Sequence, residues 1–201
     1  MFKILFTIIL LFVNCTAHAT TTIVILGDSL SASYGIDHNE GWVALLERRL
    51  KKTNNSYQVV NASISGETSA GGLQRINNTI RQHRPSILIL ALGANDGLRG
   101  LSLRQLHSNL TQIIQRSQKS SVNVLLIGMR LPNNYGPQYN SNFSAIYSKL
   151  AKQFELPLIP FLLSGLENNR AMFQKDGLHP TAAAQPAILD NVWPHLKLLL
   201  K

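Results

Sequence analysis

The sequence predicts an α/β fold, in which helices cover both faces of a parallel sheet. Apolar, β-branched segments alternate with longer segments of helical periodicity, an alternation that is typical of parallel strands joined by crossover helices. Two of the apolar segments, ILILAL and VNVLLIG, are almost continuous, as expected of strands buried on both faces. We therefore expect one three-layer α/β/α domain.

Five strands are predicted at fairly regular intervals. They are Ile23–Leu26, Tyr57–Asn61, Ile87–Leu92, Val122–Ile127 and Leu156–Ile159. Four segments between them repeat apolar residues at helical spacing, namely 41–52, 70–83, 103–119 and 140–154. A last helix is expected from about Ala182 to Leu199, and Pro186 and Pro194 should kink or interrupt it because proline lacks a backbone N–H.

The first 19 residues predict a secretory signal peptide. Lys3 precedes an apolar run from Ile4 to Val13, and Ala17-His18-Ala19 has the small-x-small pattern of a cleavage site. The apolar run is too short to span a bilayer comfortably. An uncleaved anchor is the first alternative. A lipoprotein modified at Cys15 is the second, and the bulky Asn14 before the cysteine argues against it.

The remaining residues, 20–201, form the predicted domain and contain no cysteine, because Cys15 is the only one in the chain. A secreted domain without disulfides must be stable on its core alone, and this length allows a substantial core. The bacterial periplasm is the compartment that these observations favour. We take the protein to be a monomer.

The formal net charge of +9 bears on the partners of the protein. The basic residues are scattered, apart from a group at 48–52, and no basic stripe is interleaved with aromatic residues as nucleic-acid binding requires. We therefore expect no nucleic-acid partner. A basic surface can attract anionic membranes or phosphate-bearing substrates, so peripheral contact with an anionic membrane stays open.

Small polar residues follow the first three predicted strands at the point where each strand ends. GDSL follows the first strand, ASISGETS the second and GANDG the third. Parallel strands end at the same edge of a sheet, where α/β proteins bind their ligands. We expect this edge to hold the hydroxyl of Ser29, the backbone N–H of Gly66 and the side-chain amide of Asn95.

A serine hydroxyl is a good nucleophile only when a base takes its proton. The segment KDGLHP places Asp176 three residues before His179, a spacing that lets the carboxylate orient one imidazole nitrogen while the other accepts the serine proton. We predict Ser29 as nucleophile, His179 as general base and Asp176 as the orienting carboxylate. The GxSxG turn of α/β-hydrolases is absent, since Ser31 occupies its last position.

Acyl transfer also needs donors for the oxyanion of the tetrahedral intermediate. The backbone N–H groups of Ser29 and Gly66 and the side-chain amide of Asn95 are the candidates. Each of these residues alone is typical of a turn or a helix cap. Their combination with Asp176 and His179 favours catalysis.

Neighbouring polar residues suggest no further chemistry. Asp28 and Asp96 are expected to hold their own turns by hydrogen bonds. The other histidines lack the spacing of metal ligands, so the sequence predicts neither a metal nor an organic cofactor.

The segments GDSLS, ASISGETS, GANDG and DGLHP resemble, in order and spacing, the four motif blocks of the SGNH, or GDSL, hydrolases. The surrounding sequence is similar to the periplasmic thioesterases, lysophospholipases and arylesterases of that family. The resemblance implies a flavodoxin-like fold with a five-stranded parallel sheet and hydrolysis of small-molecule fatty-acyl esters and thioesters. It assigns the nucleophile to Ser29, the acid–base pair to Asp176 and His179, and the oxyanion donors to Ser29, Gly66 and Asn95.

An acyl chain needs an apolar surface beside the nucleophile. Leu98 and Leu101 follow the third predicted strand, and Leu131 and Tyr135 follow the fourth, all at the same edge of the sheet. We expect these four residues to line an acyl groove. The alternative is that they only pack their loops onto the core.

Two other functions stay open. A carbohydrate O-acetyl esterase would use the same residues on a small acyl group. A non-catalytic lipid- or sugar-binding protein on this fold would be expected to lack a catalytic residue, whereas all are present here.

Overall fold

The computed structural model describes residues 20–53 and 56–200, in which strands and helices alternate. The strands are β1 (Thr21–Gly27), β2 (Tyr57–Asn61), β3 (Ile87–Ala91), β4 (Asn123–Ile127) and β5 (Leu158–Ile159). The helices are α1 (Trp42–Thr53), α2 (Ser69–His83), α3 (Ala94–Leu98), α4 (Leu103–Lys119), α5 (Pro137–Gln153) and α6 (Gln185–Leu196). The predicted signal peptide, 1–19, lies outside the described residues.

The five strands form one parallel sheet in the order β2-β1-β3-β4-β5. Ile25 of β1 lies between Asn61 of β2 and Ile89 of β3. The chain winds outward from β1 to β2 and then crosses back to β3, so the direction of winding reverses beside β1. Such a reversal opens a crevice at the carboxyl ends of the strands. The predicted α/β class and flavodoxin-like topology are therefore confirmed.

The core consists of the sheet and the apolar faces of the helices. All five residues of β3 are buried, and Ile23–Leu26 of β1 are fully buried. This burial on both faces explains the almost continuous apolar runs in the sequence. No helix in the described part of the chain is long and apolar enough to cross a membrane.

The C-terminal helix differs from its prediction. The segment 182–199 divides into a 3-10 turn at 182–184, helix α6, and a second 3-10 turn at 197–199. Pro186 lies in the first turn of α6, where its missing N–H has no intrahelical acceptor in any case. Pro194 lies near the end of α6 and does not interrupt it.

Two helix starts were also not predicted correctly. Helix α5 begins at Pro137, earlier than the expected residue 140, because proline is well suited to the first helical turn. The short helix α3 falls in the segment that was expected to be a turn, and it places Asn95 and Asp96 in its first turn.

Candidate active site

The candidate nucleophile lies in a tight turn directly after β1. Asp28 closes this turn, since its backbone carbonyl accepts from the N–H groups of Ser31 and Ala32 and its Oδ1 accepts from Leu30 N at 3.1 Å. The expectation that Asp28 holds its own turn is confirmed. Gly27 is required here, because a Cβ at this position would lie 2.9 Å from Ser31 Oγ. The turn leaves Ser29 half-buried at the carboxyl edge of the sheet.

Ser29, His179 and Asp176 form one hydrogen-bonded series. His179 Nε2 lies 3.0 Å from Ser29 Oγ, and His179 Nδ1 lies 2.6 Å from Asp176 Oδ2. Both distances are those of direct hydrogen bonds. With the proton on Nδ1, donated to the carboxylate, Nε2 is free to accept the proton of the serine hydroxyl.

A short hairpin holds the Asp176–His179 pair in place. Phe173 and Pro180 form an isolated antiparallel bridge, and Gln174 N donates to His179 O at 2.8 Å. Within the turn, Asp176 Oδ1 accepts from the backbone N–H groups of Leu178 and His179 at 2.9 and 3.0 Å. The carboxylate is thus fixed by one oxygen and bonded to the imidazole through the other.

These bonds determine the ionisation of Asp176. The backbone N–H of His179, together with its ring and the N–H of Leu178, lowers the pKa of Asp176 from 3.8 to about 2, although partial burial opposes the shift. A carboxylate that accepts several hydrogen bonds is stabilised in its charged form. Asp176 therefore stays ionised through the neutral and mildly acidic range.

The three predicted oxyanion donors lie in the turns after β1 and β2 and in the first turn of α3. The backbone N–H groups of Ser29 and Gly66 have no acceptor among the described residues. Gly66 has φ of 78°, a left-handed conformation that favours glycine. Asn95 Nδ2 donates to Glu67 O at 3.1 Å and lies 3.5 Å from Asp28 Oδ2, so the amide is anchored between the two turns that carry the other donors.

A buried polar cluster joins α3 to the start of α2. Asp96 accepts from Ser69 N at 2.8 Å and from Ser69 Oγ at 2.5 Å, and Asn109 Nδ2 donates to Ser69 Oγ at 2.9 Å. All three side chains are buried. The expectation that Asp96 holds its own loop was therefore wrong, because α3 turns this carboxylate toward the N-terminus of α2. The cluster fixes the spacing between the Gly66 turn and Asn95.

Other residues contact the site without a signal in the sequence. The ring of Tyr34 lies 4.4 Å from the imidazole of His179, and Gln174 Nε2 donates to Tyr34 O at 2.7 Å. Arg99 Nη2 donates to Gly66 O at 2.8 Å. Tyr34 and Gln174 are 140 residues apart, and no motif or periodicity in the sequence indicates that they meet.

The four predicted groove residues do not share one environment. Leu131 is only 7% exposed, and it packs over Gly97, where a Cβ would lie 2.7 Å from its side chain. It is a core residue, which corrects the expectation that it lines a groove. Leu101 is 44% exposed, whereas Leu98 and Tyr135 are half-buried. A hydrogen bond of 2.8 Å from Tyr135 Oη to Leu98 O joins these two residues. These three residues stay candidates for an acyl surface.

No three His, Cys, Asp or Glu side chains of residues 20–53 and 56–200 are grouped so that they could hold a metal ion.

The ionisation of Asp28 depends on its burial beneath the turn that carries Ser29. Burial raises the pKa of Asp28 from 3.8 to about 6, although the N–H of Leu30 and the neighbouring His179 oppose the shift. Between these two pKa values the folded protein holds the proton that the unfolded chain has lost. The free energy of unfolding should therefore fall as the pH rises from about 4 to about 6, by up to about 3 kcal/mol.

Replacing Asp28 by asparagine should remove this slope. Asp176 does not contribute in the same window, because its pKa is lower in the folded protein and its contribution to stability is lost only as the pH falls below about 4. Urea unfolding of both proteins between pH 4 and 7 measures the effect. A slope that persists in Asp28→Asn would show that another group is responsible.

Comparison with known proteins finds relatives that match most of this chain. The model of the GDSL-like Lipase/Acylhydrolase family matches residues 25–186. Esterase TesA of Pseudomonas aeruginosa is 48% identical over 90% of both chains. Thioesterase 1/protease 1/lysophospholipase L1 of Escherichia coli is 45% identical over 92% of this chain and 87% of its own. A crystal structure of TesA superposes with a TM-score of 0.87 and 48% identity, over 90% of this chain and 100% of that one.

Proposed function

The chain belongs to the GDSL-like lipase/acylhydrolase family, and we propose that it hydrolyses fatty-acyl esters and thioesters through an acyl-serine intermediate on Ser29. It is an enzyme of the same kind as relatives that are named esterase, thioesterase and arylesterase. One observation carries the assignment of roles, namely the hydrogen-bonded series from Ser29 through His179 to Asp176.

In the first half-reaction the Ser29 Oγ attacks the acyl carbon while His179 Nε2 takes its proton. The carbonyl oxygen becomes an oxyanion, and the N–H groups of Ser29 and Gly66 and the amide of Asn95 donate to it. Each donor of this kind contributes roughly 3 kcal/mol to the stability of the transition state. The bond to the leaving alcohol or thiol then breaks, and His179 gives it the proton.

In the second half-reaction a water attacks the acyl-serine and His179 accepts one of its protons. The new tetrahedral intermediate uses the same three donors. When it collapses, the ester bond to Ser29 breaks, the fatty acid leaves and the proton returns from His179 to Ser29 Oγ. Asp176, ionised throughout, stabilises the imidazolium in both halves.

The acyl chain is proposed to lie against Leu98, Leu101 and Tyr135, beyond the ends of β3 and β4. Hydrogen bonds from Tyr135 to Leu98 O and from Tyr139 to Gly97 O hold α3 against the start of α5 and the turn before it. The competing proposal is an O-acetyl esterase, whose acyl group needs no such surface. Rates on p-nitrophenyl esters from acetyl to C16 test this: a maximum at medium or long chains supports the fatty-acyl assignment, and a maximum at acetyl contradicts it.

Periplasmic location is proposed from the N-terminal sequence. A short apolar run and a small-x-small pattern support a cleaved signal peptide over residues 1–19. N-terminal sequencing of the protein from a periplasmic fraction should then begin at Thr20. A chain that begins at Met1 in the membrane fraction would instead indicate the retained anchor.

Monomeric state and peripheral contact with anionic membranes are also proposed. The net charge of +9 supports an attraction to anionic lipid. Co-sedimentation with anionic vesicles that weakens with added salt would agree with this contact, and equal binding to neutral vesicles would contradict it.

A further inference from the structure

Exposed apolar side chains are concentrated around the candidate active site. In the described part of the chain, the large hydrophobic side chains that are well exposed are Tyr34, Ile64, Leu101, Leu178 and Leu198. The first four are 40 to 51% exposed, and they all belong to segments at the carboxyl edge of the sheet, where Ser29 lies. We call these four residues the apolar rim.

Two residues of the apolar rim are bonded to the turn that carries the nucleophile. Tyr34 N donates to Ser29 O at 3.3 Å, and the Tyr34 ring lies 4.4 Å from the imidazole of His179. Ile64 N donates to Gly27 O at 3.0 Å, directly before that turn. Both side chains therefore stand within one or two residues of the reacting groups.

The other two residues of the apolar rim are bonded to the remaining parts of the site. Leu178 N donates to Asp176 Oδ1 at 2.9 Å. Leu101 N donates to Asp96 O at 2.9 Å, which ties it to α3, the helix that carries Asn95. The apolar rim thus borders the site on several sides, and through Leu101 it is continuous with the proposed acyl surface.

Basic side chains accompany the apolar rim. Arg99 and Lys175 are exposed, and neither is paired with a carboxylate among the described residues. Arg99 Nη2 donates to Gly66 O at 2.8 Å, so its guanidinium lies beside a proposed oxyanion donor. The exposed carboxylates Asp37 and Glu40 belong to the 3-10 turn before α1. Apolar side chains beside unpaired cations are the combination that binds anionic lipid surfaces.

We propose that the apolar rim is an interfacial surface, which enters the headgroup layer of a lipid aggregate with phosphate-bearing headgroups and turns Ser29 toward that layer. Scattered exposed leucines need no explanation, whereas a group of them around one site marks a surface for interaction. The inference rests on the proposed function, because the aggregate is the phase that holds a fatty-acyl substrate. An acyl chain could then pass from the lipid along Leu101 to the acyl surface without crossing water.

This proposal gives the contact with anionic membranes an orientation, which net charge alone does not provide. Leu198 supplies a matched control, since it is 77% exposed but lies elsewhere. Helix α6 begins beside the start of α1, where Gln185 Oε1 accepts from Trp42 N at 3.0 Å. Leu198 lies beyond the other end of α6, roughly 20 Å away along the helix axis.

An added tryptophan tests which surface meets the lipid. Ile64→Trp and Leu198→Trp are each made in the Ser29→Ala protein, so that no lipid is hydrolysed. They are mixed with vesicles of phosphatidylglycerol and acyl-brominated phosphatidylcholine, and the fluorescence of the parent protein is subtracted. Bromine quenches an indole that enters the acyl boundary, so we expect about threefold stronger quenching for Ile64→Trp than for Leu198→Trp. Equal quenching at the two positions, or none at Ile64→Trp, would overturn the proposal.

Activity on two forms of substrate gives a second measurement. Ile64→Ser should lower the apparent kcat/KM for micellar palmitoyl-lysophosphatidylglycerol about fivefold, the size expected when half of an isoleucine side chain no longer enters lipid. It should change kcat/KM for the water-soluble p-nitrophenyl butyrate by less than about twofold, as should Leu198→Ser for both esters.

The outcomes separate the rim from the reaction. Equal losses on both esters in Ile64→Ser would mean that the change damages the site and that the apolar rim has no interfacial role, while the proposed function stands. A dimer in analytical ultracentrifugation that Ile64→Ser dissociates would assign the apolar rim to a second copy of the chain and contradict the proposal. If the wild-type protein hydrolyses neither ester, the proposed function fails and the purpose given to the rim fails with it.

Discussion

Replacement of Ser29 by alanine should lower kcat for p-nitrophenyl octanoate by about 10⁵-fold or more, and it should abolish covalent labelling by a fluorophosphonate. The imidazole of His179 would lose the hydroxyl that lies 3.0 Å from its Nε2. The backbone N–H of residue 29 and the other two donors would remain, so binding of substrate should change little. Initial rates and mass spectrometry of the labelled protein provide the two measurements.

Ser31 offers a matched control two residues away. Its hydroxyl is buried and has no hydrogen-bond partner among the described residues. Ser31→Ala should therefore fold and keep its activity within about twofold, because it removes no bond of the site. Persistent labelling of the Ser29→Ala protein would contradict the assignment of the nucleophile.

Replacement of Asp176 by asparagine should lower kcat by about 10³- to 10⁴-fold. The backbone N–H groups of Leu178 and His179 donate to one carboxylate oxygen, so the amide oxygen of asparagine would take that position. Its NH₂ group would then face Nδ1 of His179. The ring would accept there and carry its proton on Nε2, where it could no longer accept the proton of Ser29.

Asp37→Asn is the control for this change. Asp37 is another exposed carboxylate of the chain, and it also accepts a backbone N–H, that of Asn39 at 2.7 Å. It has no contact with the imidazole, so its replacement should leave kcat within about twofold. Full activity of Asp176→Asn at neutral pH would mean that the tautomer of His179 is fixed by other groups.

The site could be predicted in more detail than the fold, because most of its residues lie in the segments that follow the strands. Ser29, Gly66 and Asn95 each follow an apolar strand, and parallel strands bring such positions to one edge. Asp176 and His179 are three residues apart, so their contact is local. The serine needs a base and the Asp176–His179 pair needs a nucleophile, so the two could be expected to meet. The distance of 3.0 Å between His179 Nε2 and Ser29 Oγ agrees with this prediction.

The predictions that failed depend on long-range packing. The residues around Leu131 in the sequence do not distinguish it from an exposed loop leucine. Its burial becomes clear only in the structure, where its side chain packs over Gly97. Asp96 differs from Asp28 because α3 forms where a turn was expected, which redirects its carboxylate to Ser69. Pro194 is a local exception, because a proline near the end of a helix disrupts few of its hydrogen bonds.

The hairpin that carries Asp176 and His179 has a consequence for how such enzymes diverge. Its internal geometry is set within a few residues, by the Phe173–Pro180 bridge and the two bonds to Asp176 Oδ1. From the preceding stretch, Arg170 donates to backbone carbonyls of the hairpin, and Met172 O accepts from Thr181 N at 2.8 Å. Insertions and deletions between β5 and Arg170 can therefore occur in evolution without changing the geometry of the Asp176–His179 pair.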